Sequence, residues 1–166
     1  MEIIANVHLI TGPVVNCSLI VEPGGLTLID TGLPGYVKRI TQAITAVGRS
    51  PADLKTILLT HADGDHVGAL AHFKATTGAA SYASPLEAQA IAAGRSSREL
   101  KTTGLRKVLV GLMSRFFQFK AAPIDHLINQ GQELPILGGL LVFDTPGHPP
   151  DHISFYAPAH RLLFAG

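Results

Sequence analysis

A mixed α/β fold is what this sequence predicts, on three observations. Short Ile/Val/Leu-rich runs broken by glycine and proline open the chain. Strand-like and helix-like periods then alternate through its middle. From Ile124 onward the strand pattern returns to the end. Alternation of that kind belongs to mixed α/β architectures, in which helices cover a sheet.

Residues 2–10, 14–21 and 26–30 alternate or run apolar, and Gly12-Pro13 and Pro23-Gly24-Gly25 separate them. They read as three strands of an antiparallel meander. After Leu33-Pro34-Gly35 the spacing of Val37, Ile40, Ile44 and Val47 turns helical, and Gly48 closes it. Lys55 to Thr60 is expected as a fourth strand, its apolar run suited to burial on both faces. Val67, Leu70, Ala71 and Lys74 continue as a helix to about Gly78. Pro85 opens another to about Ala93, which Arg95-Ser96-Ser97 breaks. A further helix carries Leu105, Val108, Leu109, Leu112, Met113 and Phe116 on one stripe. Strands are expected at 125–128, 132–137, 140–144, 152–156 and 161–165. No repeat, low-complexity tract or interdomain linker interrupts 1–166, so one domain is expected.

Composition narrows the function. The 166 residues are 46% hydrophobic and 15% charged, with a formal net charge of +1, which supplies a core and no electrostatic footprint for nucleic acid. The single Cys17 cannot form an internal disulfide and reads as a buried, inert thiol. Met1-Glu2 leads straight into strand-like sequence, and no apolar run reaches the roughly 20 residues that span a bilayer. A cytoplasmic protein with a small-molecule substrate and no membrane partner is the expectation.

The chemistry concentrates in Thr60-His61-Ala62-Asp63-Gly64-Asp65-His66-Val67-Gly68, two imidazoles and two carboxylates directly after Ile57-Leu58-Leu59. Unpaired, such groups are costly to bury at the exit of a core strand, and that exit is where open α/β sheets place ligands. A metal centre is therefore expected. In extended backbone, residues two apart point the same way, so His61, Asp63 and Asp65 can converge while His66 turns aside. One site could hold His61 with Asp63, and a second Asp65 with His66; each needs a ligand from elsewhere. His148 in Asp144-Thr145-Pro146-Gly147-His148 is the expected supplier, again presented by a turn after a strand. The plainer alternative is a polar loop in which Asp65 caps the following helix.

Asn16-Cys17-Ser18-Leu19, Leu28-Ile29-Asp30-Thr31-Gly32, the 60–68 segment and Thr145-Pro146-Gly147-His148 resemble, in order, the signatures of the metallo-β-lactamase-fold hydrolases. The resemblance implies an αβ/βα sandwich with one or two divalent ions at an edge of its sheets. It also implies that 85–120 forms a helical, substrate-covering insertion. By position, His61, Asp63 and His148 would hold the first ion, and Asp65 and His66 the second. Asp30 would orient a ligand, and His152 would either support one or simply pack. Asp63 departs from the family's usual second histidine. Zinc is the first expectation, and a harder carboxylate ligand admits iron or manganese. The family's bridging Asp and last metal-binding His, which follow such a strand, are absent; the chain stops at Leu162-Leu163-Phe164-Ala165-Gly166. A truncated chain is expected, completed by a C-terminal segment or by a homo-oligomeric partner.

A metal-activated water attacking an ester, lactone, thioester or β-lactam carbonyl is the expected mechanism, with Asp65 orienting the water or moving its proton. Iron redox chemistry on the same fold is the first alternative, and an inactive or assembling fragment the second. His8, His72, His126 and His160 lack partner spacing and read as packing or surface histidines. The Phe116, Phe117 and Phe119 cluster reads as helix core, with a substrate wall as the alternative.

Overall fold

Leu19 and Ile20, Leu28 and Ile29, and Ile57 and Leu58 are neighbours in sequence and all buried, yet the members of each pair enter different cores. Alternate side chains of a strand leave opposite faces, so a sheet carrying such pairs is covered on both sides. The computed structural model describes residues 1–98 and 117–166. The helix expected between Leu105 and Phe116 lies outside them.

Seven strands form the first sheet, in the order of the chain: β1 Glu2–Ile4, β2 Val7–Ile10, β3 Cys17–Glu22, β4 Gly25–Ile29, β5 Leu54–Leu58, β6 Ala80–Ala83 and β7 His126–Leu127. β1 to β4 pair antiparallel, and β4 to β7 pair parallel. The second sheet runs β11-β10-β9-β8, all antiparallel, from β8 Glu133–Leu134, β9 Leu140–Asp144, β10 Ile153–Ala157 and β11 Leu162–Phe164. Ile20, Ile29 and Leu58 from the first sheet meet Leu140, Val142, Ile153 and Phe155 from the second in one core. Leu19, Leu28 and Ile57 meet the helices on the other side. α1 Val37–Ala46 buries Ile40 and Ile44 there, α2 Gly64–Val67 buries Val67, α3 Leu70–Thr77 buries Leu70 and Phe73, and α4 Pro85–Ala92 buries Ala88 and Ile91. Helix, sheet and sheet are thus stacked as a sandwich. No helix among the described residues is long and apolar enough to cross a membrane.

Several elements differ from expectation for local reasons. Residues 2–10 form a hairpin, not one strand, turning at Asn6, whose φ of 66° is a conformation asparagine tolerates. β6 was not expected, because Ala80-Ser81-Tyr82-Ala83 lacks β-branched residues; tertiary pairing with β5 and β7 imposes it. The helix after the polar cluster is two pieces, α2 and α3, broken at Gly68-Ala69. A Cβ on Gly68 would sit 2.4 Å from the Pro34 backbone nitrogen, so glycine is required by a close approach. The strands at 125–128 and 132–137 shrink to two residues each.

Candidate metal centre

β4 and β5 run parallel, so their C-terminal ends deliver Asp30 and the 60–66 loop to the same edge of the first sheet. The loop is stitched in place from both sides. Asp30 N–H donates to Leu58 O at 2.9 Å, Thr31 N–H to His66 O at 2.6 Å, and Ile153 N–H at the start of β10 to Thr60 O at 3.1 Å. The second sheet contributes the turn 145–152, which follows β9 and closes with Thr145 N–H donating to His152 O at 2.9 Å.

Asp30 is the hub beneath the site. Its Oδ1 accepts from Thr60 N–H at 2.9 Å, and its Oδ2 from the Thr60 hydroxyl at 2.8 Å and His66 Nδ1 at 2.8 Å. An ionised carboxylate only accepts, so these bonds dictate the tautomers around it. His66 carries its proton on Nδ1. The Thr60 hydroxyl, having donated to Asp30, accepts from His61 Nδ1 at 2.9 Å. His61 Nε2 is therefore left as a bare lone pair, and it is a buried nitrogen with no partner among the described residues. Burial would raise the Asp30 pKa, but the facing His66 and His61 imidazoles and the Thr60 amide together hold it below the usual value. Burial pushes His61 down to about 4, helped by the neighbouring His66, so its ring is neutral at pH 7. Burial pulls His66 down too, but the Asp30 carboxylate outweighs it and the net direction is up.

Three donors meet above this hub. His61, Asp63 and His148 each present one ligand atom, all within 4.8 Å of one another. Asp63 Oδ2 is 3.6 Å from His61 Nε2 and 3.7 Å from His148 Nε2. His61 and Asp63 are buried, whereas the His148 side chain is 68% exposed on its turn, so one arm of the site faces solvent. Two imidazole nitrogens and a carboxylate oxygen suit a divalent transition ion. The orphaned His61 Nε2 is an observation that fits such an ion, because buried polar atoms are rarely left without a partner.

The other expected residues are placed differently. Asp65 and His66 do not join a three-donor group among the described residues. Extended-chain parity ends at Asp63, where the backbone enters α2, so Asp65 does not continue the row begun by His61 and Asp63. Asp65 is half-buried in the first turn of α2 and does not cap it; Asp63 occupies the N-cap position, without a side-chain cap bond. His66 is tied to Asp30, with its ring centroid 3.9 Å from that of His61. His152 is buried, bonds Thr145 Oγ1 through Nδ1 at 2.7 Å, and lies 5.0 Å from the His61 ring; burial lowers its pKa. Among the remaining histidines, His126 stacks on Tyr82 at 4.6 Å and His8 lies 4.0 Å from Glu2. Cys17 is buried, and its thiol is pushed well up by that burial. Phe119 packs against the helix-side core, and Phe117 lines a shallow pocket with Val14, Leu33 and Tyr36.

Three residues escaped the sequence reading. Glu87, fully buried in α4, accepts from Ala62 N–H at 2.7 Å and from the Ser97 hydroxyl at 2.7 Å, so it holds the backbone between His61 and Asp63. Burial raises its pKa. Ser96 Oγ donates to Asp63 Oδ1 at 2.5 Å. Arg98 grips the same carboxylate, with Nε donating to Oδ1 at 3.2 Å and Nη2 contacting Oδ2. A glutamate on the otherwise apolar face of α4 was the available signal for Glu87. Ser96 and Arg98 sit in a stretch whose composition marks only a helix stop.

The model of the metallo-β-lactamase superfamily matches residues 10–166. The chain belongs to the metallo-β-lactamase superfamily. It is 36% identical over 152 residues to the uncharacterized protein YobT of Bacillus subtilis, covering 92% of this chain and 60% of that one. It is 30% identical over 154 residues to the hydroxyacylglutathione hydrolase GloC of Haemophilus influenzae, covering 91% and 65%. Among solved structures, a Cronobacter sakazakii metallo-β-lactamase with a HARLDQ motif superposes with a TM-score of 0.77 at 29% identity, over 93% of this chain and 58% of that one. This superfamily member thus spans roughly three-fifths of the length of the relatives it matches.

Proposed function

We propose that the protein is a metal-dependent hydrolase acting on a carbonyl substrate: an ester, lactone, thioester or β-lactam. The observation that carries this reading is the buried, unpartnered His61 Nε2 facing Asp63 and His148. Relatives named as a hydroxyacylglutathione hydrolase and a metallo-β-lactamase support the carbonyl class. The six letters HARLDQ of the latter's motif and His61-Ala62-Asp63-Gly64-Asp65-His66 share H, A and D at their first, second and fifth places, and neither has a histidine at the third.

His61, Asp63 and His148 would hold a divalent ion, which when bound would supply Lewis acidity and lower the pKa of water to about 7. The chain's own residues do the rest. The Asp30–Thr60 relay keeps the His61 Nε2 lone pair directed into the site. Asp63 brings the negative charge that offsets the ion. Glu87 fixes the peptide between them. Asp65, half-buried one residue past Gly64, is the group we assign to orienting the water and taking its proton. His66 and Asp65 would hold a second ion, with His66 offering Nε2 because its Nδ1 donates to Asp30.

Asp63 also favours a second reading, iron in place of zinc with redox chemistry, because a carboxylate is the harder ligand. Elemental analysis of the purified chain separates the two: about one or two equivalents of colourless zinc, or iron with a visible absorption band. The hydrolytic reading then requires that turnover of a panel of esters, thioesters, lactones and β-lactams vanish with chelator and in Asp65→Asn. An unchanged kcat in Asp65→Asn would overturn it.

A further inference from the structure

We propose that Arg98 is a built-in cation of the metal-free centre, which an incoming metal ion must displace. The inference rests on the metal-centre reading above and concerns what occupies the ligands before the ion arrives.

Asp63 is buried, and a carboxylate taken out of water needs compensation. The histidines on either side do not supply it, since their Nε2 atoms stand 3.6 and 3.7 Å from Oδ2, beyond hydrogen-bond range. Arg98 supplies it instead. Its guanidinium forks onto both oxygens of Asp63, a geometry lysine cannot reproduce. The third nitrogen, Nη1, donates to His148 Nδ1 at 3.2 Å. That last bond carries a consequence for the ligand. With Nδ1 accepting, the neutral His148 ring carries its proton on Nε2, the nitrogen that faces Asp63. Arg98 therefore opposes an ion twice: Nη2 sits on Oδ2, the oxygen nearest the two imidazoles, and Nη1 holds His148 in the tautomer whose site-facing nitrogen has no free lone pair. Nε and the Ser96 hydroxyl bond Oδ1, so they can keep their places while Oδ2 is released. Metal uptake is an exchange of one cation for another, and it frees the Arg98 Nη groups at the mouth of the site.

The test compares zinc affinity, measured by competition with a chromogenic chelator, in the wild-type chain, in Arg98→Met and in Arg98→Gln; the glutamine keeps a donor for Asp63 without the charge. Thermal denaturation in chelator accompanies it. The proposal expects both variants to bind zinc more tightly, on the order of tenfold, as removal of one opposing charge predicts. It also expects a lower Tm than wild type in chelator, because Asp63 loses its partner, with the deficit closing in zinc. Zinc affinity that is unchanged or weaker in both variants would overturn it, since Arg98 would then be positioning Asp63 for the ion. If no chain binds zinc, the metal-centre reading itself fails; if wild type binds and the variants bind no tighter, only this inference does.

Discussion

Asp30→Asn replaces an oxygen that only accepts by an amide that only donates, with almost no change of shape. Oδ1 keeps its bond from Thr60 N–H, but the amide nitrogen now confronts the Thr60 hydroxyl and His66 Nδ1, both of which donate to Oδ2 in the native site. Two bonds to a buried charge are lost, each contributing about 1.5–3 kcal/mol. Inverting the network recovers part of this. The amide donates to Thr60 Oγ1, regaining about 1 kcal/mol for one neutral bond, while the hydroxyl turns to His61 Nδ1 and only reverses a bond already present. The net cost is about 2–5 kcal/mol, which lowers Tm by roughly 2–4 °C per kcal/mol in a domain of this size. The inversion has a second effect. With Nδ1 accepting, His61 must carry its proton on Nε2, and the lone pair that faces Asp63 disappears. Loss of such an outer hydrogen bond typically costs about 10–100-fold in metal affinity. Zinc titration calorimetry measures the affinity, and long-range ¹H–¹⁵N spectra of the histidine rings read the tautomer directly. Wild-type zinc affinity in a folded Asp30→Asn protein, or a His61 ring still protonated on Nδ1, would refute the relay from Asp30 through Thr60 to His61.

Two further outcomes follow from the same geometry. A Cβ on Gly64 would lie 1.6 Å from the Phe117 carbonyl oxygen, a backbone atom that cannot swing aside, so Gly64→Ala is expected to cost roughly 3 kcal/mol and about 6–12 °C in Tm; a melting curve superposable on wild type would contradict that contact. In chelator, stability is expected to fall as pH drops from the ordinary histidine value of 6.5 toward about 4, because the unfolded chain takes up a proton that burial denies to His61. His66, whose pKa is raised, acts the other way, with its contribution complete below 6.5 and lost as pH rises above it. A midpoint of urea unfolding that stays flat between pH 6.5 and 4 would contradict the assignment of His61.

The fold was legible where burial follows a period. Leu28, Ile29, Ile57 and Leu58 are apolar on both faces of their strands, which is the mark of a sheet covered twice, and the structure buries them in two cores. β6 was not legible, since nothing in Ala80-Ser81-Tyr82-Ala83 prefers a strand and only its neighbours make it one. In the site, His61, Asp63 and His148 stood out because imidazoles and carboxylates at strand exits are chemically conspicuous. The parity argument failed at Asp65 because it assumed extended backbone through Gly64, where a helix begins. Ser96 and Arg98 were beyond reach for a different reason. Their role depends on where the chain after α4 returns in space, and no local pattern encodes that.

Helix α4 and the residues flanking it reach both loops of the centre. At its start, Leu86 N–H donates to Asp151 Oδ2 at 2.9 Å and Ser84 Oγ to Asp151 O at 2.7 Å, anchoring the turn that carries His148. At its middle, Glu87 holds Ala62. Just past its end, Ser96 and Arg98 hold Asp63. The helix works as a splint across two loops that lie more than eighty residues apart in the chain. Fraying of those eight residues would release both loops together. The lifetime of a bound ion is then bounded by how often this one helix lifts, a local opening whose rate hydrogen exchange can time.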